Sequence, residues 1–76
     1  MSKLALVTPK QMCKIAEKCG FYRDRQKGSH IVYTNNKGEN VVIPMHSTNL
    51  GRGLIRATIR DLGLTVDEYE QLRKEV

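Results

Sequence analysis

Six residues about a third of the way along this 76-residue chain, Arg25-Gln26-Lys27-Gly28-Ser29-His30, gather two cations, a glycine, a hydroxyl and one of the sequence's two histidines. Those residue types suit one reaction in particular. RNA carries a 2′-OH beside every phosphodiester. That hydroxyl attacks phosphorus once a base removes its proton, and the departing 5′-oxygen needs an acid. An imidazole, which titrates near ~6.5 in a model peptide, can play either part at neutral pH. Arg25 and Lys27 would hold the phosphate and offset charge developing in the transition state. Gly28 would let the backbone come close to it. The same residues also make a plain polar turn with a surface histidine, and on residue types alone that reading outweighs catalysis.

His46, two positions beyond Pro44, also admits two roles. It could complete an acid–base pair with His30, or it could hold the loop after a strand; the structural role is preferred. Lys37 and Arg52 join Arg25 and Lys27 as phosphate contacts, against the alternative of a solvated basic surface. Ser29 has no visible base and orienting partner, which argues against a serine nucleophile. Gly51-Arg52-Gly53 could turn backbone N–H groups toward a phosphate, but a tight turn into a closely packed helix is the preferred reading.

The elements that must position these residues follow from capping signals and periodicity. Thr8, Pro9 and Gln11 read as an N-cap, a first-turn proline and a capping-box partner. Met12, Ile15, Ala16 and Cys19 then recur at helical spacing, Lys10, Lys14 and Lys18 take the wet side, and Gly20 stops the helix. Phe21 to Gln26 predicts a first strand, with a turn at Gly28. In a second strand Ser29, Ile31 and Tyr33 alternate with His30, Val32 and Thr34. Asn35-Asn36-Lys37-Gly38 is hairpin chemistry, and Val41-Val42-Ile43, closed by Pro44, predicts a third strand. A loop from Met45 to Arg52 leads to a helix with a buried stripe of Leu54, Ile55, Thr58, Ile59 and Leu62, ended by Gly63. Thr65 and Glu68 form a second capping box, opening a last helix with Tyr69 and Leu72 inward. The order α-β-β-β-α-α predicts an α+β domain over 1–76, with helices on one face of a three-stranded antiparallel sheet. If they cover the more apolar Ile31 and Tyr33 face, His30 points to the open one. Val32 fits that assignment least well.

Thirteen Lys and Arg against eight Asp and Glu give a net charge of +5. Residues 1–34 hold seven cations and two anions, residues 35–63 four and two, and residues 64–76 two and four. A basic body with a weakly acidic tail suits a polyanion such as nucleic acid, although such a charge also serves solubility. Cys13 and Cys19 are six positions apart, ~9 Å along a helix, too far for an unstrained disulfide. Without a Cys-x-x-Cys pair zinc is not expected, and two free thiols point to a reducing cytoplasm. No apolar run approaches the ~20 residues of a membrane span, and the start MSKLALVTPK does not read as a signal peptide. No carboxylate cluster is offered to a metal.

The pattern Gly20-Phe21, Gln26 to His30, Val41-Val42-Ile43-Pro44, His46, Leu50-Gly51-Arg52-Gly53-Leu54 and Ile59 to Leu64, in this order and spacing, resembles the HicA toxin family. The resemblance runs from Leu4 to Tyr69. It implies a fold similar to a double-stranded-RNA-binding domain, α-β-β-β-α, here followed by a short extra helix. It implies a small endoribonuclease toxin that cleaves mRNA (an mRNA interferase), with His30, the histidine of the Gly-Ser-His motif, as its catalytic residue. No metal or cofactor is implied. The implied partner is a HicB-type antitoxin covering the basic open face. The alternatives are a non-catalytic RNA-binding module using that face, or a pure protein-interaction domain.

Overall fold

A computed structural model describes residues 4–46 and 49–76. Ser47 and Thr48, within the stretch expected as a loop, lie outside the described residues, as do Met1 to Lys3 of the start read for a signal peptide. Six elements follow one another: α1 (Pro9–Lys18), β1 (Tyr22–Lys27), β2 (His30–Thr34), β3 (Asn40–Pro44), α2 (Arg52–Leu62) and α3 (Val66–Arg73). This is the predicted α-β-β-β-α-α order, with a three-stranded antiparallel sheet in the order β1-β2-β3.

Both predicted capping boxes form. The Gln11 backbone N–H donates to Thr8 Oγ1 at 3.1 Å, and the Thr8 N–H donates back to Gln11 Oε1 at 2.9 Å. Thr65 and Glu68 repeat the exchange at 3.1 and 2.8 Å. Orphan N–H groups at each helix start are thereby satisfied. At the end of α1, Gly20 takes φ 87°, its N–H reaching Glu17 O while Phe21 N–H reaches Ala16 O. That is the Schellman arrangement, which needs a left-handed residue.

The inner face of the sheet carries Ile31, Tyr33, Val41 and Ile43, which join Met12, Ile15, Ala16, Leu50, Ile55, Ile59, Leu62 and Tyr69 in one apolar core. α2 packs on β3, and α1 lies against β3 and α3. Burial of Tyr69 is complete, and its hydroxyl donates to Ala5 O at 2.6 Å. The Ala5 N–H in turn donates to Glu70 Oε2 at 3.3 Å, so α3 is tied to the N-terminal segment. Withdrawal from water pushes the Tyr69 phenol up to about 12, with the Glu70 charge adding to it.

Several expectations need correction. Phe21 precedes β1 as a core side chain and is not part of the strand, which runs one residue further, to Lys27. α1 stops at Lys18 with Cys19 as its C-cap, half-buried but still packed against the core, and Cys13, which the spacing did not mark, is buried there as well. Both thiols are free. Leu54 is 37% exposed and lies off the buried stripe of α2. The helix buries Ile55, Thr58, Ile59 and Leu62 instead, and the Thr58 hydroxyl bonds Leu54 O at 2.8 Å. A Cβ at Gly51 or Gly53 would meet nothing within 4 Å, so close packing does not require glycine at either.

Candidate active site

Period-two alternation makes the outer face of the sheet the complement of the core. The register arranges it as three rungs across β1, β2 and β3: Lys27, His30 and Pro44; Arg25, Val32 and Val42; Tyr22, Thr34 and Asn40. All three helices lie on the other side, with the core between them and the sheet. Val32 is only 7% exposed yet stands outside the core cluster. It lies on the central strand, between Arg25 and Val42 in the register, which resolves its poor fit to an open face.

β1 is exposed along its whole length, and its register slips between Arg23 and Arg25, leaving Asp24 as a bulge. A charged, bulged strand is a common way to blunt a sheet edge. The bulge also sets which side chains share a face. Arg23 pairs with Tyr33 on the inner side, while Arg25 and Lys27 join His30 outside.

The turn from β1 to β2 has two central residues. Gly28 has φ 60°, and Ser29 follows with negative φ, the glycine-first pattern of a II′ hairpin. Nothing lies within 4 Å of a Cβ built on Gly28, so conformation and not crowding makes glycine suitable here. Gln26 Nε2 donates to Gly28 O at 3.0 Å and braces the turn.

The Ser29 carbonyl accepts the Met45 N–H at 2.6 Å. That bond extends the β2–β3 ladder beyond Pro44 and carries the chain into His46. His30 stands opposite Pro44, so His46 is its diagonal neighbour, a relation that long and aromatic side chains can bridge. Their rings do meet, edge to face, with centroids 5.7 Å apart and planes at 67°. Both histidines are exposed. The structural role preferred for His46 on sequence grounds thus has a geometric competitor.

The four candidate cations fall in different places. Lys27 is directly across from His30, and among the described residues no carboxylate forms an ion pair with it. Arg25 is one rung away and paired to Asp24 Oδ2 at 2.6 Å, with both side chains largely in solvent. Lys37 sits in the β2–β3 hairpin, at the other end of β2 from His30. There Asn35 Oδ1 accepts from both Lys37 N–H and Glu39 N–H at 3.0 Å. Arg52 opens α2, on the helical layer. The register therefore gathers Lys27 and Arg25 with the histidines, and does not gather Lys37.

Sequence periodicity missed two residues of this face. Tyr22 and Val42 are 51% and 47% exposed and belong to it, Tyr22 in an end rung and Val42 in the middle one. Alternation along Val41-Val42-Ile43 could have found Val42. Nothing in the sequence marks the bulge that places Tyr22. Among the described residues no group of three or more His, Cys, Asp or Glu side chains converges, and no helix is long and apolar enough to cross a membrane.

Three surface hollows lie elsewhere. One, of about 240 Å³, is lined by residues including Cys13, Lys14, Arg23 and Tyr33 on the inner side of the sheet. There the Tyr33 hydroxyl donates to Glu17 Oε2 at 3.0 Å, and burial raises both the Tyr33 phenol and the Cys13 thiol. None of the three hollows holds His30 or His46. The histidines are exposed, with Lys27 across the strand from His30, an open cationic setting that suits an extended polyanion.

Among known proteins, the family model described as HicA toxin of bacterial toxin–antitoxin matches residues 9–64, from the start of α1 to just past α2. No curated protein matches the chain.

Proposed function

Since the chain belongs to the HicA toxin family of bacterial toxin–antitoxin systems, we propose that it arrests growth as an endoribonuclease that cleaves mRNA in the cytoplasm without a metal ion. The observation that carries this reading is the pair of histidine rings, 5.7 Å apart and exposed, with Lys27 across the strand.

One imidazole takes the proton of a ribose 2′-OH, and O2′ forms a bond to the adjacent phosphorus. The P–O5′ bond breaks in line, and the leaving oxygen receives a proton from the other imidazole, which must start as imidazolium. The products are a 2′,3′-cyclic phosphate and a 5′-OH. The two histidines end with exchanged protonation and reset through solvent. His30 is the principal group and His46 the second proton carrier. Lys27, with Arg25 behind it, holds the non-bridging oxygens as charge builds there. Gly28 and Ser29 shape the turn that presents His30, and Ser29 also anchors Met45 and so His46. Lys37 and Arg52 act at longer range, on flanking phosphates. A HicB-type antitoxin completes the system by covering this basic face.

Incubating the purified chain with mRNA in excess chelator tests the reading. Fragments ending in 2′,3′-cyclic phosphate, or its hydrolysed form, are expected. Fragments ending only in 3′-OH would sink the mechanism, and salt-sensitive binding without fragments would leave a non-catalytic RNA-binding module on the same face.

A further inference from the structure

Tyr22 has no part in the proton transfers, and its ring is half in water at 51% exposure. The bulge at Asp24 sets it across from Thr34, on the same face as His30, Arg25 and Lys27. The next rung toward His30 offers Val42, 47% exposed, with Val32 beneath the surface between it and Arg25. The face is therefore graded. It runs from paired histidines, through a rung with one guanidinium and an apolar floor, to an exposed aromatic ring. His30 and Thr34 are four residues apart on β2, so at ~3.3 Å per residue the aromatic rung lies ~13 Å from the histidines.

We infer that Tyr22 is a stacking platform for an unpaired nucleobase of the RNA, about two nucleotides from the scissile phosphate. This rests on the reading of the open face as an RNA-cleaving surface and adds a base subsite to it. Charge complementarity selects the occupant: Arg25 and Lys27 flank the path between Tyr22 and His30 and match a phosphate backbone. A π face receives any base, so the subsite fixes how far from a held base the chain is cut without reading which base it is. It also favours single-stranded over duplex substrate, because a stacked, paired base cannot lie on the ring.

The test separates binding from cleavage. In a His30→Ala background, a short single-stranded RNA is titrated against Tyr22, Tyr22→Phe and Tyr22→Leu, with one abasic nucleotide walked along the strand. Leucine keeps apolar area and removes the π face. Phenylalanine should bind as tyrosine does, and leucine should lose about tenfold in affinity. One abasic position, about two nucleotides from the cut made by the parent protein, should cost the tyrosine form a similar factor and the leucine form nothing further. Equal affinity of all three forms overturns the subsite, even if the parent protein cleaves RNA as proposed. A leucine form that binds RNA normally but loses the antitoxin overturns it too, and assigns the ring to a protein interface. If the parent protein neither cleaves nor binds RNA, the functional reading fails and the subsite falls with it. Circular dichroism of the leucine form shows whether the sheet is intact.

Discussion

The two faces of the sheet are built from the same strands, one residue out of step, and they obey opposite rules. On β2, Ile31 and Tyr33 are sealed in the core, while His30 between the turn and the core is open to water. The inner face satisfies its polar atoms: Tyr33 finds Glu17, and no buried side-chain polar atom of the described residues lacks a partner. The outer face leaves Lys27 without a carboxylate among the described residues, and two large apolar side chains in solvent. Such a surface adds little to stability, and on the proposed reading it meets a ligand that brings negative charge and flat rings. On that reading stability and chemistry are segregated by alternation, and substitution should be able to separate them.

The largest effect is expected on the outer face. His30→Ala should lower RNA cleavage by about 10²–10⁴-fold while stability moves by no more than about 0.5 kcal/mol. Cleavage kinetics beside a urea titration decides this, and a fall in both would mean that the faces are not independent. Its inner counterpart is Ile43→Ala, one position from the His30 rung and fully buried. A loss of about 2–5 kcal/mol is expected, enough to unfold a large fraction of so small a protein. Any residual activity should then follow the folded fraction, measured on the same sample.

A smaller effect belongs to Lys27. Lys27→Ala should make the logarithm of RNA affinity less steep against log salt by about 0.7, the release of one counterion from a single strand. An unchanged slope would remove Lys27 from the phosphate path. The smallest lies far from both faces, at Glu70. The Arg73 guanidinium, bonded at 2.9 Å, and the Ala5 N–H hold its carboxyl below the ordinary 4.5. The folded form then binds that proton less readily than the unfolded chain does. Its contribution is complete above the ordinary value and disappears as pH falls through the lowered one. Glu70→Gln should cost up to about 1 kcal/mol at pH 7, a few degrees of Tm, and nearly nothing in strong acid. A gap that persists at low pH would show that the charge is not its source.

Most of the fold is legible in the sequence because its signals are local. Thr8 with Gln11 and Thr65 with Glu68 announce their helices, since a capping box needs only four consecutive residues. Asn35 to Gly38 announces its hairpin for a similar reason. What the sequence hides depends on tertiary fit. Leu54 keeps helical spacing, but only one flank of α2 meets β3. Cys13 lies off the expected stripe of α1 and is nonetheless buried. His30 is readable as a candidate from its neighbours. Its contact with His46 is not, since that depends on the register of β2 against β3 and on one bond from Met45 to Ser29. Lys37 looks close to the others in sequence, yet the whole length of β2 separates it from His30.

The bulge at Asp24 has a consequence for chain length. From Lys27 backward, the side chains of Gln26, Arg25, Arg23 and Tyr22 alternate in and out only if Asp24 is left uncounted. A deletion of Asp24 therefore yields a regular strand with the same two surfaces, and frees the Arg25 guanidinium from its carboxylate. Loss of Gln26 with the bulge kept would instead trade every upstream side chain to the opposite surface. Within β1, position 24 is where evolution or a protein engineer can shorten the chain without rewriting what it touches.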